Sequence, residues 1–168
     1  METTFDIVLD YFVKYHEAII EVAENNVVPT YFYRFEDIIP DTESQLVNIV
    51  KFIFGKSDIS GTVVEQLIKD FVVDKDKGQV YKPKSGGAFN KNLDKYNEKQ
   101  MASMKTKLRK YNVYFDYIKL PGRVTETDYF EYDDLTEEEL KQVGRYRVVA
   151  AQALKYSIEK GDSVADCH

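Results

Sequence analysis

Two short segments of the sequence combine residue types that could bind an anion or a nucleotide. The first is Arg34-Phe35-Glu36-Asp37-Ile38, where an aromatic run meets a charged turn. The second lies further along the chain and contains Lys82, Lys84, Gly86, Gly87 and Phe89. Glycines allow backbone N–H groups to approach an anion, and nearby lysines neutralise its charge. The second segment is therefore a candidate phosphate-binding loop, although lysine-rich loops are more often plain solvated surface.

Few other residues in the sequence are of types that could support catalysis. The sequence has 2 histidines, and one of them, His168, is the C-terminal residue. His16 follows the apolar side of a predicted helix, where a packed histidine is commoner than a base or a metal ligand. The sequence has no GxxxxGK[ST], GxGxxG, HExxH or GxSxG motif. The C-terminal Asp166-Cys167-His168 resembles a metal site in composition, but a frayed terminus is the simpler interpretation.

Composition restricts the class of partner and the compartment. The 168 residues carry a net charge of −6, and this acidic balance argues against nucleic-acid binding as the main task. No apolar run reaches the ~18 residues of a membrane span, so no membrane span is expected. Glu2 and Asp6 stand where a secretory signal would be positively charged. With Cys167 as its single cysteine, the chain is expected in a reducing, intracellular compartment, cytoplasmic by default.

Apolar spacing predicts a mainly helical chain with one strand. Helices are predicted over residues 4–24, from the cap Asp41 to the stop signal Gly55, over 62–71, over 98–111, and over 137–160 before Gly161. The β-branched and aromatic run Val27–Phe35 predicts a strand, with Pro29 tolerated near its start. Residues 74–91 show almost no apolar periodicity and predict a loop, and loops of this length are usually functional or disordered. A change in composition at Pro121 divides the chain into residues 1–120 and an acidic linker with a helical extension, 121–168.

Residues 5–118 resemble, in the order of their motifs, the C-terminal half of the sulfotransferases that use 3′-phosphoadenosine 5′-phosphosulfate. In that family a strand ends in Arg-Tyr-Glu-Asp-Leu, which Arg34-Phe35-Glu36-Asp37-Ile38 matches, and a later helix ends in Phe-Leu-Gly, similar to Phe52-Ile53-Phe54-Gly55. The family then has a loop of pattern Arg-Lys-Gly-x-x-Gly-x-Trp-Lys, whose first residues hold the cofactor's 3′-phosphate. Here Gly87 stands at the second glycine and Phe89 at the tryptophan. Asp116-Tyr117 is similar to the Gly-Tyr that ends the family's closing helix.

The chain departs from this family in ways that bear on catalysis. Lys82-Pro83-Lys84 stands in place of Arg-Lys-Gly, which removes the arginine fork for bidentate phosphate recognition and restricts the backbone. The family's N-terminal half has no counterpart here, and that half carries the phosphosulfate-binding loop, the catalytic histidine and further 3′-phosphate ligands. Lys84-Ser85-Gly86 echoes that loop by coincidence, because Gly87-Ala88 follows in place of two threonines. No catalytic residue is assigned, and the chain is not expected to transfer sulfate alone.

The resemblance implies an α/β, helix-dominated fold: a partial sulfotransferase-like fold of the P-loop type with a C-terminal helical extension. A complete fold of this class packs helices on both faces of a parallel sheet, which one strand cannot supply. Three functions remain open. The chain is a non-catalytic subunit or partner in a larger assembly. Alternatively, it is the C-terminal fragment of an active sulfotransferase acting on an acceptor hydroxyl or amine, or an anion- or nucleotide-binding protein unrelated to sulfate transfer.

The missing sheet predicts a protein partner. A half-fold exposes the apolar faces that the sheet would cover, and large exposed apolar patches mark interfaces. The strand Val27–Phe35 is the first candidate contact, since a lone strand leaves its N–H and C=O groups unpaired. The helix 137–160 is the second. No cofactor is required for such a role, and the loop with Lys82, Lys84, Gly86, Gly87 and Phe89 is where 3′-phosphoadenosine 5′-phosphosulfate or adenosine 3′,5′-bisphosphate would bind.

Overall fold

The computed structural model describes residues 3–38, 40–73, 93–123 and 129–165. These residues are mostly helical, which confirms the prediction of a helix-dominated chain. The α-helices are α1 (Thr4–Glu24), α2 (Phe35–Ile38), α3 (Thr42–Phe54), α4 (Val63–Val73), α5 (Glu98–Lys107), α6 (Arg109–Tyr114), α7 (Glu137–Gln142) and α8 (Arg145–Ala165). The described residues form no strand, and their β-pairing is an isolated parallel bridge between Ile118 and Phe130.

Helix α1 has the bounds that the sequence predicts. The Thr3 hydroxyl oxygen accepts the Asp6 N–H at 3.3 Å, and the Asp6 carboxylate accepts the Thr3 N–H at 3.3 Å. This reciprocal pair is a capping box, which satisfies two N–H groups at the start of the helix. The helix ends before Asn26, whose φ of 51° is a left-handed conformation that asparagine tolerates.

Helix α3 also forms where it is predicted. It follows Asp41, whose side chain makes no capping hydrogen bond, and it ends at Gly55 with φ 60°. A glycine in this left-handed conformation is a common helix stop. The apolar spacing of this segment predicts that Leu46, Ile49, Val50 and Ile53 face inward. Leu46, Ile49 and Val50 are partly buried, but Ile53 is 65% exposed.

The predicted strand Val27–Phe35 is wrong. Residues 29–34 have no regular secondary structure, and Phe35 already begins α2. The Asp37 N–H donates to the Arg34 carbonyl at 3.1 Å, so the end of the run closes a helical turn. Pro29 has no N–H to donate, and no strand among the described residues lies alongside this run. Its backbone therefore has no strand to pair with, and a high β propensity alone does not make it a strand. A strand contact with a partner through this segment therefore loses its structural basis.

Two predicted helices are interrupted. The helix over 98–111 divides at Leu108 into α5 and α6. The tail helix over 137–160 divides between α7 and α8, where Val143 is extended and Gly144 has φ 67°. The apolar spacing of each helix continues across its break, so the spacing alone could not reveal it.

Gly161 does not end the tail helix as predicted, because α8 continues to Ala165. Gly161 instead lies against Gly55 at the end of α3. A β-carbon at position 161 would lie 2.7 Å from the Gly55 carbonyl carbon, closer than packed atoms allow. Because glycine has no side chain, the backbones at Gly55 and Gly161 can approach each other closely.

The chain divides into two compact units, each built from two segments. The first unit comprises Met1–Val28 and Phe89–Tyr146, and the second comprises Pro29–Ala88 and Arg147–His168. The core of the first unit consists of Leu9, Met104, Leu108, Val113, Ile118, Phe130 and Tyr132. This core takes residues from both sides of position 120. The division into residues 1–120 and 121–168 is based on composition and on the family resemblance, and it stays a prediction.

The second unit packs α8 beside α3. The Ser157 hydroxyl of α8 donates to the Phe52 carbonyl of α3 at 2.5 Å. The buried apolar residues of this unit are Ile59, Ile68, Val149, Ala150 and Ala153. Small residues on α8 allow its backbone to lie close to α3, as the contact between Gly55 and Gly161 requires.

Candidate functional site

The residues predicted to bind a phosphate lie outside the described part of the chain. They are Lys82, Lys84, Gly86, Gly87 and Phe89. Their role in holding a nucleotide stays a prediction. The terminal Asp166-Cys167-His168 also lies outside the described residues.

The structure places the motif from Arg34 to Ile38 in the second unit, at the turn into α2. Arg34 is 6% exposed, and its Nη2 donates to Asp37 Oδ1 at 2.6 Å. Its Nε lies 3.2 Å from both Asp37 oxygens, which makes the pair bidentate and directional. Asp37 also lies 4.0 Å from Arg147 of α8. The motif thus joins the turn to α8, and the guanidinium of Arg34 is buried rather than presented to a ligand.

His16 packs among aromatic rings, as predicted. Its Nδ1 lies 2.8 Å from the Phe12 carbonyl oxygen, one helical turn earlier. Its ring stacks on Phe12 with 3.9 Å between centroids and meets the Tyr111 ring edge-on at 5.1 Å. These contacts fix the imidazole between α1 and α6 as a packing residue.

The first unit contains an open pocket of about 560 Å³ beside the C-terminal half of α1. Its volume falls in the range of small-molecule sites, which is about 300–1,000 Å³. Apolar surface is supplied by Ile20 and Val113. The charged lining residues are Glu17, Glu21, Glu24, Lys107, Arg109, Lys110 and Glu139. Both signs of charge therefore line the same pocket.

Arg109 joins α6 to α7 at the edge of this pocket. Its Nε donates to Glu139 Oε1 at 2.6 Å, and its Nη1 donates to Asp134 Oδ1 at 2.8 Å. The guanidinium also lies 4.8 Å from the centre of the Tyr132 ring, a cation–π distance. Hydrogen bonds from Arg109 lower the pKa of Glu139 to about 2, with the Thr136 N–H adding to the effect. The charge of Arg109 is thus paired with carboxylates of the protein itself.

Further ion pairs use other charges of the pocket. Lys107 Nζ lies 2.6 Å from Asp10, and Arg145 Nε lies 3.2 Å from Glu24. Burial raises the pKa of the nearby Tyr114 hydroxyl, so this group stays protonated. Among the described residues that line the pocket there is no histidine and no cysteine.

Helix α1 carries a second apolar face on the side opposite its buried residues. The five residues Val8, Tyr11, Tyr15, Ala18 and Val22 form this face, which we call the α1 stripe. Tyr11 and Tyr15 are 72% and 63% exposed, and Val8 is 62% exposed. The apolar spacing of α1 predicts a single inward face that includes Val8, and Val8 is exposed instead. The alternating spacing of three and four residues was the signal for this second face.

Helix α4 has an exposed apolar face of its own, in the second unit. Val63, Leu67 and Phe71 are 76%, 61% and 41% exposed, and we call them the α4 stripe. Their spacing of four residues places them on one side of the helix. Ile68, on another side, is buried. Both units therefore present an apolar helical face to solvent.

Comparisons with known proteins give no relative. No protein-family model, curated protein or solved structure matches the chain. Within the described ranges, no three His, Cys, Asp or Glu side chains are grouped so that they could hold a metal ion. No helix in those ranges is both long and apolar enough to cross a membrane.

Proposed function

We propose that this chain is a non-catalytic, protein-binding module that acts as a subunit or partner in a larger assembly. The α1 stripe carries this proposal, because Tyr11 and Tyr15 leave 72% and 63% of their surface in contact with solvent. Tyrosine is enriched in protein interfaces, since its ring buries a large apolar area while its hydroxyl remains able to form a hydrogen bond. Contiguous apolar surface of this kind marks interaction sites.

The α4 stripe supports the same function from the second unit. Val63 and Leu67 are the most exposed members, at 76% and 61%. Leaving such side chains in water forgoes about 1.5–3 kcal/mol for each one that a partner could bury. Two units that each forgo this energy are better suited to an assembly than to an isolated chain.

We place the module in the C-terminal half of a sulfotransferase-like α/β fold. Two backbone conformations support this placement. Gly55, at the position of a family glycine, has φ 60°, and Asp116, also at the position of a family glycine, has φ 59°. Both values lie in the left-handed region that favours glycine. Helices of this fold class are covered by a sheet, so apolar stripes are the expected surface where the sheet is lacking.

The proposed module needs no cofactor and acts in a reducing intracellular compartment. A 3′-phosphate site retained at Lys82 and Lys84 would bind adenosine 3′,5′-bisphosphate without turnover. The single cysteine, Cys167, supports the assignment to a reducing compartment.

Sulfate transfer by the purified chain tests whether it is non-catalytic. With radiolabelled 3′-phosphoadenosine 5′-phosphosulfate and a phenol, an amine or a sugar as acceptor, we expect no labelled product. A base and a phosphosulfate loop together lower the barrier by several kcal/mol, and no residue is assigned to either role. Turnover that is lost when Lys82 and Lys84 are changed to alanine would support a fragment of an active sulfotransferase instead.

Photo-cross-linking in cells tests whether the chain binds protein. A benzophenone amino acid is placed at Tyr15 in one variant and at Leu67 in another. Irradiation is expected to give an adduct of defined mass from at least one of these sites. The same amino acid at Glu131, whose side chain is 66% exposed outside both stripes, is the matched control and should give none. No adduct from either stripe would overturn the proposed function.

A further inference from the structure

We propose that the pocket beside the C-terminal half of α1 binds a free peptide of two or three residues. The pocket would hold the terminal ammonium, the terminal carboxylate and one apolar side chain of this ligand. The proposal goes beyond the protein-binding role, because it concerns a small ligand and a side of α1 away from the α1 stripe. It rests on the charges of the pocket, on its apolar floor and on the neutral amides that line it.

Most charged side chains that line the pocket already form ion pairs within the protein. These are Glu24, Lys107, Arg109 and Glu139. The side chains of Glu17 and Glu21 on α1 and of Lys110 on α6 form no ion pair with another described residue. The pocket therefore offers two carboxylates on one wall and an ammonium on another. A ligand that carries both signs of charge matches this arrangement, whereas a simple cation or anion leaves one wall unmatched.

The two walls belong to different helices, which sets the separation of the ligand's charges. Helix α1 packs against α6, and the axes of packed helices lie about 8–10 Å apart. In a free amino acid the ammonium and the carboxylate are attached to the same carbon atom, so they are too close together to reach both walls. The ends of an extended dipeptide or tripeptide are about 7–11 Å apart. This separation favours a short peptide over a single amino acid.

The rest of the lining suits the uncharged parts of a peptide. Ile20 and Val113 line the pocket and are only 4% and 2% exposed, so they form its floor. An apolar side chain of the ligand leaves water when it lies on this floor. The amides of Asn25 and Gln142 also line the pocket. Because an amide has both donors and an acceptor, as a peptide bond does, these side chains can pair with the ligand's backbone.

An NMR titration of the ¹⁵N-labelled full chain with the tripeptide Ala-Leu-Ala tests the proposal. We expect saturable shifts at backbone amides of the residues that line the pocket, with a Kd of about 1 mM or lower. Acetylation of the peptide's N-terminus and amidation of its C-terminus should each weaken binding by about tenfold, because each removes one charge that the pocket matches. Free leucine should also bind about tenfold more weakly, since it cannot reach both walls.

Two variants assign each end of the peptide to its wall. In Glu17→Gln with Glu21→Gln, acetylation should cost no further affinity, while amidation should still weaken binding by about tenfold. In Lys110→Gln the pattern should be the reverse. A variant that merely folds poorly would weaken the binding of every peptide alike, so this crossed pattern is specific to recognition of the two ends.

Matched controls make the same changes outside the pocket. They are Glu131→Gln with Glu159→Gln, at side chains 66% and 63% exposed, and Lys155→Gln, at a side chain 79% exposed. Each control should bind all the peptides as wild type does, and circular dichroism checks that every variant is folded. The proposal would be overturned by a lack of saturable binding, by equal binding of the blocked and unblocked peptides, or by the same losses in the controls. None of these measurements involves the α1 stripe, so each such result leaves the proposed function standing.

Discussion

At the scale of single residues, Arg109 determines how α7 is held in the first unit. It contacts Glu139 at 2.6 Å and Asp134 at 2.8 Å. The pKa of Glu139 falls from 4.5 to about 2 as a result, so its ionised form is stabilised in the folded state. Because the folded pKa lies below the unfolded one, this stabilisation is complete above pH 4.5 and is lost as the pH falls toward 2.

Glu139→Gln should therefore lower the free energy of unfolding in a pH-dependent way. We expect a loss of about 1 kcal/mol at pH 7, because solvent screens a partly exposed pair. The difference from wild type should shrink below pH 4.5 and disappear near pH 2. Urea titrations across this range measure it, with the exposed Glu137→Gln as the control. A difference that is the same at every pH would show that Glu139 acts through packing rather than charge.

Asp116 combines a strained backbone with a buried charge. Its φ is 59°, it is 7% exposed, and its carboxylate pairs with Arg123 at 2.6 Å. Asp116→Ala and Asp116→Gly both remove the pair, but glycine adopts positive φ without strain. Thermal unfolding should show the glycine variant to be the more stable by about 1 kcal/mol. Equal stabilities would mean that the backbone at position 116 relaxes on substitution.

At the scale of elements, short-range signals at the helix ends explain why α1 and α3 have the predicted bounds. Thr3 with Asp6 begins α1 by a local exchange of hydrogen bonds, and Gly55 ends α3 by its own backbone freedom. Such signals depend on neighbouring residues alone, so a sequence reveals them. The strand over Val27–Phe35 failed because β structure needs a second segment to pair with, and apolar spacing says nothing about one.

Gly161 was predicted to end the tail helix, but it lies inside α8, where it allows the backbone to approach Gly55 of α3. Helix propensity predicts that Gly161→Ala, inside α8, stabilises the chain by about 1 kcal/mol. The contact with Gly55 predicts the opposite sign, a loss of about 1–3 kcal/mol from forced separation of the two backbones. Urea unfolding decides between them, with Lys160→Ala on the exposed side of α8 as the control. A more stable Gly161→Ala would contradict the close packing of α3 and α8.

At the scale of the whole molecule, each unit joins segments that are distant in sequence. The first unit brings Leu9 together with Phe130 and Tyr132. No local pattern identifies such partners, which is why the sequence suggested a break near residue 120 but not the shared core. The sequence also could not identify the α1 stripe as exposed. The rest of the fold determines which of the two apolar faces of α1 is covered.

The shared core makes a prediction about truncation. A chain ending at residue 120 loses Phe130 and Tyr132, each worth about 3–5 kcal/mol in a core of this kind. Domains of ordinary size are stable by about 5–15 kcal/mol, so we expect residues 1–120 to lose cooperative unfolding and to aggregate. Light scattering and circular dichroism measure this, and removal of residues 166–168 alone is the control. A soluble fragment 1–120 that unfolds cooperatively would contradict the shared core.

The account depends most on the claim that the chain works bound to another protein through the α1 stripe. Native mass spectrometry of the tagged chain, isolated from its own cells at its natural level, tests this claim directly. We predict that wild type is found in an assembly of fixed mass that contains a second protein, and that Tyr11→Ser with Tyr15→Ser is found alone. Because both tyrosines are largely exposed, the variant should remain folded. A wild-type chain that is found as an isolated monomer, with the same mass as the variant, would contradict the account.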